Sequence, residues 1–207
     1  MIFATKLEAE PFIKTLRMVR LDGSPFFIHE GNDFVLAVSG IGKANAAIAT
    51  TYCNIHYPSQ WIVNLGCAGA LNPLLKKGDI FQISKVLEPD RPHLRTGTPY
   101  AQIPSLLPGF TNAILATQDK PVIRSHDRIT LSHFADLADM EGAAVIQAAG
   151  RFGINSLLFK FVSDTVQDSD EDEIIPFVRE HGKYFSRFFV EQILVLLEQT
   201  TIHITNC

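Results

Sequence analysis

Residues Ala138 to Asp168 read A-D-M-E-G-A-A-V-I-Q-A-A-G-R-F-G-I-N-S-L-L-F-K-F-V-S-D-T-V-Q-D, and this stretch decides the fold. Its pattern predicts a strand over Leu137 to Met140, a helix over Gly142 to Phe152 that Gly153 ends, and a second strand over Ser156 to Val162. The second strand is a nearly continuous apolar run, which is typical of a parallel strand covered on both faces. The succession of strand, helix and strand predicts an α/β domain.

Two acidic residues stand where these strands end. Glu141 follows the first strand, and Asp164 follows the second strand. Open α/β sheets bind their ligands beyond the carboxyl ends of the strands. We therefore expect both carboxylates to line one site.

Length and composition limit the classes of function. A chain of 207 residues without a Pro/Gly/Ser-rich linker predicts a single domain over residues 1–207. The net charge of -4 and the absence of a basic stripe argue against nucleic acid as a partner, so we expect a small-molecule ligand. No apolar run is long enough to span a bilayer, and Met1 leads directly into a predicted core strand, which predicts a cytoplasmic protein without a membrane partner. The three cysteines lack metal-ligand spacing and are expected to be reduced thiols.

Two glycine-containing motifs follow other predicted strands. S-G-I-G-K at Ser39 to Lys43 follows the strand Phe34 to Ser39, and N-L-G-C-A-G-A-L at Asn64 to Leu71 follows the strand Trp61 to Leu65. Glycines let backbone N–H groups approach a ligand closely at a helix N-terminus. The first motif lacks the Gly-Lys-Ser/Thr spacing of a phosphate-binding P-loop. In the second motif we predict a ligand-facing turn over Gly66 to Gly69.

Near the N-terminus, Lys6 to Leu16 has helical character, with Pro11 placed where a first turn tolerates it. Glu8 lies in the first turn. Its position alone favours a solvated carboxylate that interacts with the helix dipole, although a role in the site stays open.

Together these motifs resemble the purine nucleoside phosphorylase superfamily in its nucleosidase branch, which includes 5′-methylthioadenosine/S-adenosylhomocysteine nucleosidases and futalosine hydrolases. D-M-E-G-A-A and F-V-S-D-T-V match the two late motifs of that family, and the two glycine motifs match in order and context. The resemblance spans most of the chain. It implies a three-layer α/β/α fold with a central twisted mixed sheet, no metal or organic cofactor, a nucleoside substrate and a homodimer.

The resemblance also implies roles for the acidic residues. Asp164, oriented by Ser163, would protonate N7 of a leaving purine, with a pKa raised by burial beneath the base. Glu141 would accept hydrogen bonds from the ribose hydroxyls while Met140 packs under the ring. Glu8 would orient and deprotonate the attacking water, which reverses the reading from position alone.

Other positions would line the pocket. By resemblance Ser39 and Gly40 line the site, and Ala68 and Gly69 present backbone to the sugar. A strand over Pro121 to Ser125 is predicted to lead into a loop in which backbone groups near Arg128 and Ile129 read the purine edge, with Ile129 packed on the base.

Cys67 stands where the family usually has Ser or Thr. No His is paired with it by motif, so a small buried Cys is favoured over a catalytic thiol.

The substrate is less closely defined. An Asp acceptor favours adenine, as in 5′-methylthioadenosine and S-adenosylhomocysteine. The predicted loop Glu88 to Phe110 is cationic, which extends the expectation to futalosine and 6-amino-6-deoxyfutalosine, whose 5′ groups carry a carboxylate. Phosphorolysis is one alternative, disfavoured because no Arg precedes the glycine turn, although Lys160 stands where many nucleosidases carry Arg. A non-catalytic nucleoside-binding module is the other alternative, disfavoured because all three acids are present.

At the C-terminal end, the acidic run Gln167 to Glu173 is predicted to begin the last helix. That helix is expected over Pro176 to Glu198, with an apolar stripe that seals one face of the core.

Overall fold

The computed structural model describes residues 1–31, 33–167 and 173–199, which form a mixed β-sheet with helices on both of its faces. The strands are β1 (Ile2–Phe3), β2 (Val19–Leu21), β3 (Phe27–Glu30), β4 (Val35–Val38), β5 (Trp61–Ala70), β6 (Ile80–Pro92), β7 (Pro99–Gln102), β8 (Asn112–Thr117), β9 (Leu137–Asp139) and β10 (Asn155–Asp164). The helices are α1 (Lys6–Thr15), α2 (Lys43–His56), α3 (Ser125–Ser132), α4 (Gly142–Arg151) and α5 (Ile174–Phe188).

The strand order is β10-β6-β8-β9-β5-β1-β4-β3-β2, with β7 paired to β6. Because β10 also pairs with β5, strands β10, β6, β8, β9 and β5 close into a ring, and the other strands extend from it as an open sheet. Strand β10 runs parallel to β5 and antiparallel to β6. The predicted α/β class and mixed sheet are confirmed.

Successive side chains of the central strands point to opposite faces of the sheet and pack into a core on each face. Phe159 of β10 packs with Phe12 of α1 and Phe185 of α5 on one face of the sheet. On the other face, Ile62 of β5 packs with the small apolar residues of α2 and α4. The predicted three-layer α/β/α arrangement is therefore confirmed.

The predicted turn over Gly66 to Gly69 is wrong, because β5 continues through it to Ala70. Here β5 stays paired with β10, so that Gly66 pairs with Lys160 and, after a one-residue shift in register, Gly69 pairs with Asp164. The second motif thus lies mostly on the C-terminal half of a central strand, whose side chains alternate between the two faces.

Two other segments differ from the prediction. The expected strand over Pro121 to Ser125 does not form, since β8 ends at Thr117 and the next regular element is α3. The segment Glu88 to Phe110 is only partly a loop, because β6 extends to Pro92 and forms a hairpin with β7, where His93 stacks on Tyr100 with ring centroids 4.0 Å apart.

Helix ends differ in detail. Pro11 lies inside α1, beyond the first turn where it was predicted. Helix α5 begins at Ile174 and continues through a π-helical segment, Phe189–Leu194, into a final helical stretch over 195–199. Residues 168–172 of the acidic run lie outside the described residues. No helix in the described part of the chain has the length and apolarity needed to cross a membrane.

Candidate active site

Residues from separate elements meet at the ends of the central parallel strands. Glu8 comes from the first turn of α1, Ser39 follows β4, Glu141 precedes α4, and Asp164 closes β10. Strand β5 lies between these groups through its segment Gly66 to Gly69, which pairs with the end of β10. The sequence prediction that Glu141 and Asp164 stand at strand ends is confirmed.

Glu8 has two sets of partners. One carboxylate oxygen, Oε2, accepts hydrogen bonds from the backbone N–H (3.0 Å) and the hydroxyl (2.7 Å) of Thr5, which completes a capping box for α1. The other oxygen, Oε1, accepts from the backbone N–H of Cys67 at 3.0 Å. The residue is only 7% exposed. Glu8 therefore caps its helix and faces β5 as a buried group, so the solvated carboxylate that its position alone favours is wrong.

Gly66 is required where Glu8 meets β5. A Cβ atom at this position would lie 2.6 Å from Glu8 Oε1 and 3.8 Å from Lys160 Nζ. The first distance is shorter than van der Waals contact permits, so a side chain at this position would displace the Glu8 carboxylate.

Lys160 supplies the cation beneath these carboxylates. Its ammonium group is buried in the middle of β10 and contacts Asp139 Oδ2 at 2.9 Å. Asp139 also accepts hydrogen bonds from the Thr117 hydroxyl at 2.6 Å and from the backbone N–H of Gly142 at 2.9 Å. Asp139 therefore anchors the N-terminus of α4 to the lysine.

Glu141 is thereby released from capping α4. It occupies the N-cap position, yet its side chain makes no capping hydrogen bond. Its Oε1 instead accepts from the backbone N–H of Gly42 at 2.8 Å, across the site. Asp139, which accepts from the Gly142 N–H group, binds the start of α4 in place of Glu141.

The electrostatics follow from burial of several carboxylates beside one lysine. The pKa of Glu141 is raised from 4.5 to about 7, chiefly because burial disfavours its charged form and secondarily because Asp139 is negatively charged. Lys160 and the Gly42 N–H group act in the opposite direction. Burial alone would lower the pKa of Lys160, but the carboxylates of Asp139 and Glu141 outweigh burial and raise it.

The N-terminus of α2 is engaged by carboxylates. Gly40 and Gly42 have φ angles of 90° and 100°, a region that favours glycine. This loop directs the Gly42 N–H group to Glu141, and the next N–H group, of Lys43, to Asp119 Oδ1 at 2.7 Å. The Ser39 hydroxyl donates to the carbonyl oxygen of Gly40 at 2.7 Å and so stiffens the turn.

Asp164 has a partner on each carboxylate oxygen. Oδ1 accepts from the Ser163 hydroxyl at 2.5 Å, and that hydroxyl lies 3.2 Å from the carbonyl oxygen of Ala68. Oδ2 forms a buried ion pair with the guanidinium group of Arg128. A Cβ on Gly69 would lie 3.1 Å from Asp164 Oδ2, so this glycine lets β5 approach the carboxylate.

The predicted role of Arg128 and Ile129 needs correction. Both residues lie inside α3, where the Arg128 N–H group donates to the carbonyl oxygen of Arg124 at 3.1 Å. That N–H group is therefore unavailable for reading a base edge as the predicted loop required. Ile129 is 58% exposed and points away from the core. Arg128 reaches the site through its side chain, which is 7% exposed.

Two further predicted residues border the same region. Cys67 directs its thiol to Glu8 Oε1 at 3.3 Å, and burial followed by the charge of Glu8 raises the pKa of the thiol well above its ordinary range. A thiol in this environment is a weak nucleophile. Met140 is half-buried beside Glu141.

Two features of the site are not predicted from the sequence: the network of Lys160, Asp139 and Thr117, and the pairing of Arg128 with Asp164. A lysine inside an otherwise apolar strand is an available signal, since buried lysines are almost always paired. The Arg128 pairing joins residues 36 positions apart, and no local pattern indicates it.

Known proteins resemble this chain in sequence and in fold. A curated 5′-methylthioadenosine/S-adenosylhomocysteine nucleosidase of Listeria monocytogenes is 25% identical over 202 residues, covering 83% of this chain and 86% of its own. The crystal structure of a nucleosidase with the same two substrates in its name, from Campylobacter jejuni, has a TM-score of 0.81 at 21% identity and covers 96% of this chain and 97% of its own. The apo structure of Arabidopsis thaliana 5′-methylthioadenosine nucleosidase has a TM-score of 0.82 at 20% identity, with coverage of 94% and 93%.

A family model described as the phosphorylase superfamily matches residues 3–132. This match spans β1 to α3 and includes Glu8, the S-G-I-G-K loop and the whole of β5. It covers more than half of the 207 residues. The chain belongs to the phosphorylase superfamily.

Proposed function

We propose that this protein is an enzyme that hydrolyses the N-glycosidic bond of 5′-substituted purine nucleosides. The observation that carries the proposal is that Glu8 and Asp164 both lie against one strand, while Glu141 is held across the site by the Gly42 N–H group. Gly66 adjoins Glu8 and Gly69 adjoins Asp164, so about 10 Å of strand separates the two contacts at ~3.3 Å per residue. A nucleoside placed along this strand would meet one carboxyl at its base and another on the far side of its sugar.

Asp164 is proposed as the group that delivers a proton to N7 of the departing purine. A purine leaves as an anion unless it is protonated, and general acid catalysis is worth about 10²–10⁴ in rate. Ser163 fixes one oxygen of this carboxyl by its 2.5 Å hydrogen bond. Asp164 can act as an acid only if it carries a proton when the base is bound. Because Arg128 pairs with Asp164 Oδ2 in the structure, Arg128 must shift its hydrogen bonds away from this oxygen at that stage.

Glu141 and Met140 are proposed to hold the ribose. As the base leaves, positive charge develops on the sugar, as in other glycoside cleavages. A carboxylate that accepts hydrogen bonds from the sugar hydroxyls then binds more tightly in the transition state than in the ground state, which is the requirement for catalysis. The Gly42 N–H group keeps Glu141 in place for this contact.

Glu8 is proposed to orient the attacking water and accept its proton. Its Oε1 is held 3.0 Å from the Cys67 N–H group while Thr5 fixes the other oxygen, so the carboxylate has one orientation. The Cys67 thiol replaces the hydroxyl of relatives and contacts the same oxygen.

Hydrolysis is supported over phosphorolysis by the charges in the site. A phosphate needs free donors or cations, but the Gly42 and Lys43 N–H groups at the start of α2 already meet carboxylates. The buried Lys160 is paired with Asp139 and faces two further carboxylates, Glu8 and Glu141. The excess of carboxylates would repel a phosphate anion, whereas a neutral water molecule could bind.

The proposed substrates are 5′-methylthioadenosine and S-adenosylhomocysteine, because the curated relatives carry both compounds in their names. Futalosine and 6-amino-6-deoxyfutalosine are proposed as further substrates on account of the basic residues of the β6–β7 hairpin. Of these residues, Arg91 is paired with Glu88 at 3.2 Å, whereas Arg95 is exposed at the hairpin tip.

We further propose a homodimer. Ile41, Ile48 and Ile55 recur at seven-residue intervals along α2 and its leading loop, and each is 57–60% exposed. A stripe of isoleucines on the outer face of a helix is suited to burial against a second copy.

The test measures adenine and hypoxanthine release from these four nucleosides in phosphate-free buffer. Release without phosphate supports hydrolysis, whereas release that requires phosphate would assign the protein to the phosphorylases. Asp164→Asn should lose turnover with no change in fold. Asp127→Asn, which removes a surface ion pair with Lys120, is the matched control and should retain activity. Full activity of Asp164→Asn would show that the proton comes from elsewhere.

A further inference from the structure

Arg128 occupies a position that the reaction outlined above does not require. Its side chain passes from α3 into the interior and ends between β5 and β10. One terminal nitrogen donates to the carbonyl oxygen of Ala70 at 2.8 Å, and the other pairs with Asp164 Oδ2. The first nitrogen lies 3.4 Å from the position that a Cβ on Gly69 would take. Without a ligand, the guanidinium group therefore lies beside the carboxyl that is proposed to face N7.

The guanidinium group retains donors for a ligand. An arginine carries five N–H donors and no acceptor, and it stays charged in proteins. Within the described residues, the side chain of Arg128 has hydrogen bonds to Ala70 and Asp164 alone. Its remaining N–H groups lie at the same end of the site as Asp164.

Purines differ at the edge that this end of the site would face. A 6-oxopurine presents two acceptors, N7 and O6, whereas a 6-aminopurine presents the N7 acceptor beside an amino donor. The planar fork of arginine is the group that pairs with N7 and O6, and side-chain amides pair with the edge of adenine. An arginine beside the N7-binding carboxyl therefore matches the 6-oxo edge and opposes the 6-amino group with donors of its own.

We propose that Arg128 makes this enzyme select nucleosides of 6-oxopurines over those of 6-aminopurines. This inference rests on the proposed nucleosidase function and specifies its base. Among the substrates proposed above, it ranks futalosine, the nucleoside of a 6-oxopurine, above the three nucleosides of adenine. Asp164 alone would favour adenine, but its carboxylate acceptor is shared with the arginine.

The same contact assists bond cleavage. When the C1′–N9 bond breaks, its electron pair moves into the purine, and in a 6-oxopurine part of this charge resides on O6. In the reacting complex Arg128 would have exchanged its ion pair with Asp164 for a hydrogen bond to O6, and Asp164 would be protonated. The proton of Asp164 would then pass to N7, and the water oxygen would bond to C1′ as its proton passes to Glu8. The products are the neutral base and the free sugar. For adenine, the atom at position 6 is an amino group that cannot accept from Arg128.

The test compares 5′-methylthioinosine with 5′-methylthioadenosine, which differ only at position 6 of the base. The wild-type enzyme should have the higher kcat/KM for the inosine compound. Arg128→Met should lower the ratio of the two kcat/KM values by about 10- to 100-fold, the discrimination typical of an arginine contact with a base edge. Arg124→Met, at the exposed start of the same helix, should leave the ratio unchanged.

Each remaining outcome bears on the proposal. A wild-type preference for the adenosine compound, or a ratio that Arg128→Met does not alter, would overturn it. Should Arg128→Met fail to fold, Arg128→Lys keeps the charge without the fork and should also lower the ratio.

Failure of the nucleosidase function would be recognised by the absence of base release from either compound. Calorimetric binding of free hypoxanthine and adenine then decides the role of Arg128 independently. Hypoxanthine should bind more tightly to the wild type, and Arg128→Met should remove the difference. Tighter binding of adenine to the wild type would overturn the inference.

Discussion

Replacing Glu141 by Gln should change how the stability of this protein depends on pH. Burial and the charge of Asp139 raise the pKa of Glu141 from 4.5 to about 7 in the folded protein. A Gln side chain can still accept the hydrogen bond from the Gly42 N–H group, which lies 2.8 Å from Oε1. The variant therefore removes the ionisation while keeping this contact.

The sign of the effect follows from the two protonation states. Below pH 4.5 the carboxyl of Glu141 is protonated in both the folded and the unfolded chain, and its burial carries no charge penalty. Between pH 4.5 and about 7 the unfolded chain ionises first, so the folded state loses stability as the pH rises. At 1.36 kcal/mol per pKa unit, this loss reaches about 3 kcal/mol above pH 7.

Urea unfolding of both proteins at pH 4.5, 6 and 8 measures this difference. The free energy of unfolding of Glu141→Gln relative to the wild type should rise by about 3 kcal/mol from the lowest to the highest pH. Any constant effect of the substitution cancels in this comparison. Parallel pH profiles for the two proteins would refute the reasoning, because they would mean that Glu141 titrates at its ordinary value.

Three further substitutions or reactions test the site. Lys160→Met should destabilise the fold by about 3–5 kcal/mol in urea unfolding, because it leaves buried carboxylates without their cation; a loss below 1 kcal/mol would show that this ion pair is dispensable. Gly66→Ala should abolish base release, because its new Cβ would lie 2.6 Å from Glu8 Oε1 and displace that carboxylate. Gly150→Ala is the control: its Cβ would meet nothing within 4 Å, so this variant should keep full activity. The Cys67 thiol should resist iodoacetamide at pH 8 in the native protein and react in urea, since burial raises its pKa; rapid native labelling, followed by mass spectrometry, would contradict this.

Features that depend on local pattern could be predicted from the sequence. Strand β10 and the small-residue helix α4 could be predicted because each has the hydrophobic pattern of its type of element. Glu141 and Asp164 were expected at strand ends, and the structure has them there. These inferences required only the periodicity of the chain and the general location of ligands in α/β sheets.

Features that depend on pairing partners could not be predicted in the same way. The glycines of Gly66 to Gly69 indicate a turn by composition, but pairing with β10 on one side extends the strand through them. The helix α3 replaces an expected strand and loop for a similar reason, because its Leu131 packs against Ala116 and Ala138 of the sheet. Tertiary contacts override local preference in both segments.

The candidate site likewise has features that could be predicted from local sequence and features that depend on tertiary contacts. The identity of the three acidic residues was accessible from motifs, whereas their charge state was not. The pKa of Glu141 is raised by burial and by Asp139, and Lys160 opposes this shift. Asp139 and Lys160 are neighbours only because the ring of strands brings β9 and β10 together.

The charge imbalance around Lys160 connects the stability of the fold to the proposed reaction. Glu8, Asp139 and Glu141 surround one ammonium group, which leaves two negative charges in excess when all three carboxyls are ionised. In the resting protein this excess is unfavourable, and it adds to burial, the larger cause, in raising the pKa of Glu141. A ribose that acquires positive charge during bond cleavage would neutralise part of that excess. The electrostatic repulsion that costs stability in the folded protein would then be relieved in the transition state, so the same carboxylates would bind the transition state more tightly than the substrate.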